Sequence, residues 1–324
     1  MESVEKGELK KIQEILQEEA PSRAQRVISN NDILFQCVRP YQKNNYIHRV
    51  KNTSNIQWIA STGYAQIRTT ESPNYIYHLL NTDGFNRKVM VRCTGSSYPA
   101  INSEDLSAIR FYLSTDKKEQ CKIARLLDLL DERISTQNKI IYKLKSLIRG
   151  IAQNMVHRGK PNVRLSDCMI CNSSTLQESE VLESGTYPVY GANGIVGYLD
   201  CYATLNEAIY IIKDGSGVGT VFYVAGKCSA AGTLNTLQAK EGYSLQYLYY
   251  LLTVFNFEPY KTGMAIPHIY FKDYGKAKVF CPSHSEQFKY TKLLSTIDSK
   301  LLAEQNALVN YNLQKQYLLR QMFI

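Results

Sequence analysis

Gly95-Ser96-Ser97-Tyr98-Pro99-Ala100-Ile101 leads through Asp105-Leu106 to Glu119-Gln120 and then to Leu126-Leu127-Asp128-Leu129-Leu130-Asp131. Much later, Gly263-Met264-Ala265-Ile266-Pro267-His268-Ile269 leads through Asp273-Tyr274 to Glu286-Gln287 and Leu293-Leu294-Ser295-Thr296-Ile297-Asp298. The order recurs with spacing that agrees to within one residue. Chance rarely produces that in a chain without low complexity, so the molecule reads as a pseudo-repeat of globular domain plus helix.

After each Glu-Gln pair the apolar period lengthens to a heptad. Leu127, Leu130, Ile134, Gln137, Ile141, Leu144, Ile148 and Ile151 alternate steps of three and four, which predicts one stripe along a helix from about Lys117 to Asn154. Such a helix is on the order of 50 Å long. Leu294, Ile297, Leu301, Glu304, Leu308, Tyr311, Lys315, Leu318 and Met322 follow the same rule in the second copy. A narrow stripe on so long a helix must pair with another helix, and the other copy is the natural partner, in antiparallel orientation. The alternatives are two separate bundles or a homodimer. Gln137 and Glu304 fall at equivalent polar positions of the stripe, where a polar residue can specify register.

The chain has 324 residues, 44% of them hydrophobic, which suits two domains of ordinary size. The expected fold is α+β: two mixed α/β domains separated by the paired helices. The boundaries expected are 1–114 for the first domain, 115–157 for its helix, 158–284 for the second domain and 285–324 for its helix. In the second domain, Tyr187 to Tyr198 and Ala208 to Ile212 read as short strands with glycine turns, as does Gly219 to Val224 after the turn Lys213 to Gly217. Leu245 to Phe255 reads as a helix. In the first, Ile33 to Val38 and Trp58 to Ala60 read as strands, Asn74 to Leu80 as a short helix, and Glu8 to Glu19 as a helix ended by Pro21.

No run of 18 apolar residues predicts a membrane span, and Met1 to Leu16 lacks the head and core of a secretory signal. A cytoplasmic setting is expected, with the eight Cys as free thiols. Cys168-x-x-Cys171 has metal-knuckle spacing that Cys201 and Cys228 could complete, but the later spacings are too loose to predict a metal. No Walker loop, dinucleotide fingerprint, nucleophile elbow or His-Glu-x-x-His occurs. No catalytic residue and no cofactor are expected.

Recognition remains. A net charge of +9 favours a polyanion, although many soluble proteins are as basic for solubility alone. Candidate DNA contacts in the first domain are Arg39, Lys43, Arg49, Arg68, Arg87, Lys88 and Arg92, interleaved with Tyr41, Tyr46 and Tyr64. In the second they are Lys213, Lys227, Lys261 and Lys272, near Tyr190, Asn193 and Tyr198. Lysine and arginine neutralise phosphates, while Arg and Asn on loops can meet base edges. An ordinary solvated surface is the alternative for each.

The duplicated Gly-x-x-x-Pro-x-Ile…Asp…Glu-Gln…Leu-Leu…Asp pattern, the Tyr187 to Tyr198 segment and Ala265-Ile266-Pro267-His268-Ile269 resemble the specificity subunits of type I restriction-modification enzymes. The similarity runs from about Ala20 to Met322. It implies two target-recognition domains, each reading half of a bipartite double-stranded DNA target, with the helices as a ruler between them. It also implies docking of two methyltransferase subunits and of the restriction and translocation subunits, in which methyl transfer and ATP-driven cleavage reside. The second domain opens on Asn162-Val163-Arg164-Leu165-Ser166-Asp167 and the first has no equivalent, so the first is expected to be N-terminally short. A protein-recognition module that reuses the fold without reading DNA is the second reading; a self-contained nuclease or methyltransferase would need a site that is not found.

Overall fold

The computed structural model describes residues 4–5, 7–10, 12–50 and 57–323. It divides into two compact units, 1–139 with 306–324 and 140–305. Both are mixed α/β, and two long helices run through both.

The first unit holds the strands β1 (Val4–Glu5), β2 (Glu8–Leu9), β3 (Ala24–Val27), β4 (Ile33–Gln36), β5 (Tyr46–Ile47), β6 (Ile59–Ser61) and β7 (Tyr64–Ile67). The helices α1 (Pro73–Leu80), α2 (Asp83–Met90) and α3 (Ser103–Ser107) follow, and then α4 (Lys117–His157). All pairings among these strands are antiparallel, in the orders β5-β4-β7, β3-β6 and β1-β2. β4 is buried at every position, and Ile33 and Phe35 pack with Tyr75, Ile76 and Leu79 of α1. Ser72 and Thr82 start α1 and α2 by accepting a hydrogen bond from the N–H three residues on, the usual way to satisfy a free helix-end donor.

The predicted helix over Glu8 to Glu19 is not formed. The chain turns at Gly7 (φ 80°) into the β1-β2 hairpin, and only Gln17–Glu19 makes a 3-10 turn. The spacing of Leu9, Ile12 and Leu16 suits a helical stripe, but Ile12 and Leu16 are 65% and 69% exposed, so no apolar surface covers such a stripe. A dozen residues without that burial do not hold a helix in water.

The second unit comprises β8 (Val163–Arg164), α5 (Leu165–Cys168), β9 (Met169–Ser173), β10 (Tyr187–Gly191), β11 (Gly194–Leu199), β12 (Glu207–Ile212), β13 (Val221–Ala225), β14 (Ser229–Ala230), β15 (Leu234–Ala239), α6 (Leu245–Val254), α7 (Phe271–Tyr274), β16 (Lys278–Val279) and α8 (His284–Met322). An antiparallel sheet β13-β12-β15-β9 lies with a smaller sheet β11-β10-β14, in which β10 and β14 are parallel. β12 is buried at all positions but its first. Alternate residues serve two cores: Ile209 and Ile211 face α6, and Ala208, Tyr210 and Ile212 face the smaller sheet, as the two-residue period of a strand requires.

The heptad stripe is the less exposed face of both long helices. Leu127, Gln137, Ile141 and Leu294 are buried, and Leu130, Ile134, Leu144, Ile148, Ile297, Leu301, Glu304, Leu308, Tyr311 and Leu318 are half-buried. In the first unit α4 and α8 run antiparallel: Lys315 ion-pairs with Asp131, and the Arg133 Nε–H donates to the Tyr311 hydroxyl at 3.1 Å. In the second unit Leu294 packs in one core with Ala152 and Met155, and Arg158, just past the end of α4, donates to the Tyr290 hydroxyl at 2.6 Å. Gly150 lies inside α4 with open space where a Cβ would stand. Gly150→Ala is therefore expected to stabilise the chain by about 0.5–1 kcal/mol, measured by urea unfolding.

Each unit is fastened to its stretch of long helix by the same device. Gln120, fully buried, accepts from Ser72 N–H (3.1 Å) and donates to Ser114 O (2.7 Å). Gln287 accepts from Ser244 N–H (2.9 Å) and donates to Pro282 O (2.9 Å). Ser72 and Ser244 cap the equivalent helices α1 and α6. Further along the same helices, His78 on α1 bonds Asp128 (2.9 Å), and Tyr250 on α6 bonds Asp298. Burial would raise the Asp128 carboxyl, but hydrogen bonds from His78 and Asn74 hold it below its usual range. Burial raises the Asp298 carboxyl, which Tyr250 only partly offsets.

Candidate nucleic-acid interface

The duplicated Gly-x-x-x-Pro loops occupy the same place in both units. In the first, Thr94 and Ala100 pair across the loop and the Arg39 N–H donates to Pro99 O (2.7 Å). In the second, Thr262 and His268 pair and the Gly215 N–H donates to Pro267 O (2.9 Å). Each loop thus lies against the turn that follows a buried strand, β4 or β12. Gly95 (φ 88°) and Gly263 (φ 85°) enter them in the left-handed region. A Cβ on Gly263 would meet the Ile266 carbonyl oxygen at 2.4 Å, so the second loop requires glycine there. The tips are open: Tyr98, Met264 and Ile266 are exposed.

Cations surround both loops. Around the first, the 3-10 turn Pro40–Gln42 packs on α2, which carries Arg87 and Lys88. The Arg39 guanidinium lies over the Tyr98 ring at 4.2 Å. Lys43 pairs with Asp83 at 2.6 Å, the Lys88 ammonium donates to Arg110 O (2.9 Å), and Arg92 donates to Lys88 O (3.0 Å). Arg49 is exposed. Arg68 holds the buried Asp32 with two hydrogen bonds of 2.8 Å. Tyr41 is exposed, whereas Tyr64 belongs to a core with Leu34 and Ala60.

Burial would raise the Asp32 carboxyl; Arg68, the Ser29 N–H and Gln66 outweigh it and hold it at about 2. A carboxyl depressed in the folded state stabilises above its unfolded pKa of about 3.9, and that contribution fades as pH falls toward 2. Acid titrations of unfolding stability are expected to show wild type losing ground to Asp32→Asn between about pH 4 and pH 2.

In the second unit the loop borders a cleft of about 740 Å³ lined by Lys213, His268, Lys272, Asn235, Ser173 and Tyr270, among others. Lys213 reaches the Ser174 carbonyl at 3.5 Å, Lys272 lies 5.2 Å from the Tyr270 ring, and His268 faces Asp214 at 3.4 Å. Lys261 pairs with Glu258 at 2.5 Å and lines a separate cavity of about 450 Å³. Lys227 stands apart, over Tyr187 and Tyr202. Asn193 is exposed at the β10-β11 turn, and Tyr190 packs against Tyr210. The structure thus gathers Arg39, Lys43, Arg87 and Lys88 in one unit and Lys213 with Lys272 in the other, and leaves Lys227 and Lys261 elsewhere. Tyr98, Ser173, Asn235 and His268 were not expected; the signal was present, because Tyr98 and His268 lie within the duplicated block.

Cys168 lies 3.9 Å from Cys281, and Cys228 bonds the Tyr210 hydroxyl in a different core. Among the described residues no group of three His, Cys, Asp or Glu is placed to hold a metal. No described helix is long and apolar enough to cross a membrane.

Residues 160–311 match the family model of the type I restriction modification DNA specificity domain. Over 98 residues, 29% of this chain, it is 31% identical to a Haemophilus influenzae protein described as type I restriction enzyme specificity subunit S.HindORF215P. Over 117 residues, 36% of the chain, it is 26% identical to the Escherichia coli EcoprrI type I restriction enzyme specificity subunit. These matches cover 26% and 29% of the relatives' own lengths. Among solved structures, the S subunit of a type I restriction-modification system from M. genitalium aligns with 92% of this chain and 84% of its own, at TM-score 0.66 and 18% identity. A structure from a study of assembly and conformational transition of the type I system aligns with 98% of the chain and 87% of its own, at TM-score 0.56 and 20% identity.

Proposed function

Because the chain belongs to the family of type I restriction-modification specificity subunits, we propose that it is the noncatalytic, sequence-specific DNA-binding subunit of such a complex. It reads a bipartite double-stranded target, one half with each recognition domain (1–114 and 158–284), while the segments 115–157 and 285–324 set the interval between the halves. Two methyltransferase subunits and the restriction and translocation subunits dock on it and supply the chemistry.

One observation carries this reading: the same glycine-entered loop, held by the same hydrogen bonds and flanked by cations, occurs once in each unit. A protein that reads two half-sites needs two such surfaces. Phosphate contacts from Arg87 and Lys88, or from Lys213 and Lys272, position the duplex, and residues on the loops and turns reach base edges. Affinity then falls steeply with salt as counterions return to the DNA.

Selection from a random duplex library, with and without the methyltransferase subunit, tests this. Enrichment of two fixed blocks is expected; no enriched block would refute it. The second reading, a protein-recognition module that no longer reads DNA, draws on the internal commitment of Lys43, Arg68 and Lys261 to Asp83, Asp32 and Glu258. It requires partner binding with no DNA binding even at low salt.

A further inference from the structure

The two units present the duplicated loop on the same backbone but rest it on different residues, Arg39 in the first and Gly215 in the second. Ile101 N–H donates to Cys37 O at 3.0 Å and Ile269 N–H to Lys213 O at 2.9 Å, which makes Arg39 and Gly215 structural equivalents two residues on. Both are left-handed, with φ 54° at Arg39 and 96° at Gly215. Glycine takes that conformation freely, whereas a residue with a Cβ is strained there. The second unit uses the easier residue and the first does not.

Among the described residues nothing inside the first unit compensates for the choice. Lys43 is also left-handed, but it gains the Asp83 ion pair. Among the described residues Arg39 has no ion-pair partner, and its Nε is buried without a hydrogen-bond partner. Its one directed contact is the Tyr98 ring, a weak attraction at a surface. That contact restrains the guanidinium and, with Nε buried, leaves the two terminal nitrogens to act as a fork. Strain retained at a half-buried, pre-oriented group points to a ligand.

We infer that Arg39, held on Tyr98, determines specificity in the first half-site by donating two hydrogen bonds to guanine O6 and N7. This rests on the DNA-reading role proposed above. A phosphate can be met by exposed cations such as Arg87 and Lys88 and needs no fixed fork. In the major groove guanine alone offers two adjacent acceptors, which a fixed fork matches. The second unit, with Gly215 at this position, reads its half-site by other groups.

The test uses the full chain with its methyltransferase subunit, in wild-type, Arg39→Gly and Arg39→Lys forms, by site selection at several salt concentrations. Arg39→Gly installs the residue of the second unit and relieves the strain, so its melting temperature is expected to equal or exceed that of wild type. The wild-type first block is expected to contain a fixed guanine. Arg39→Gly should lose discrimination at that position by about ten- to a hundredfold, with the second block unchanged. Arg39→Lys, which lacks the fork, should not restore it. An unchanged first block would overturn the inference. So would a uniform loss of affinity with a shallower salt dependence, which marks a phosphate contact, or a sharp fall in melting temperature, which marks a structural role. Absence of any block with the wild-type chain would instead refute the DNA-reading role itself, and this assignment with it.

Discussion

Leu294→Asp is expected to destabilise the second unit by at least about 4 kcal/mol, enough to abolish cooperative unfolding of that unit near room temperature. Leu294 is fully buried on α8, in one core with Met155, Tyr247 and Leu248. A carboxylate there would lose its hydration among apolar side chains. Leu294→Met keeps volume and apolarity and should cost less than about 1.5 kcal/mol. Ile134→Asp and Leu301→Asp, on the same stripe but half-buried, should cost clearly less than Leu294→Asp because water still reaches them. Thermal and urea unfolding of the four variants separates the cases; equal costs at all three aspartate positions would contradict the burial pattern.

The second large effect is expected at the glutamines. Gln287→Ala removes the acceptor for the Ser244 N–H and the donor for Pro282 O. It leaves two part-buried backbone groups unpaired, at about 1–3 kcal/mol each, and a cavity besides. Gln120→Ala does the same to Ser72 and Ser114. Because each glutamine ties the capped helix of a recognition unit to its long helix, the loss should also loosen how firmly that unit is carried. Site selection with Gln120→Ala or Gln287→Ala is expected to give blocks whose spacing is less uniform than in wild type. Unfolding stability within about 0.5 kcal/mol of wild type would count against the clamp.

The long helices were legible from sequence because apolar residues spaced by threes and fours, from Leu127 to Ile151 and from Leu294 to Met322, suit little besides a helix with one buried face. The equivalence of Leu127 with Leu294 and of Gln120 with Gln287 was legible because the two copies keep one interval. The opening from Glu8 to Glu19 shows the limit of the same signal: Leu9, Ile12 and Leu16 have helical spacing, but a stripe forms a helix only where a surface covers it. Site residues were harder to see because their roles depend on partners distant in sequence. Arg68 reads as a surface cation until Asp32 is placed beneath it, and Lys43 until Asp83 is. The left-handed backbone of Arg39 leaves no mark in the sequence, since nothing in Val38-Arg39-Pro40 distinguishes it from an extended turn. Tyr98 and His268 read as members of a repeat and not as surface, although a block kept in both copies and exposed at its tip is where a shared task would lie.

Hydroxyl-radical footprinting of the chain, assembled with its methyltransferase subunit on a duplex recovered by selection, measures most directly whether one polypeptide reads DNA at two places. Two protected tracts at a constant separation, with an exposed stretch of indifferent sequence between them, are expected. A single continuous tract, or tracts whose separation varies from one duplex to another, would contradict a pair of readers held by one pair of helices.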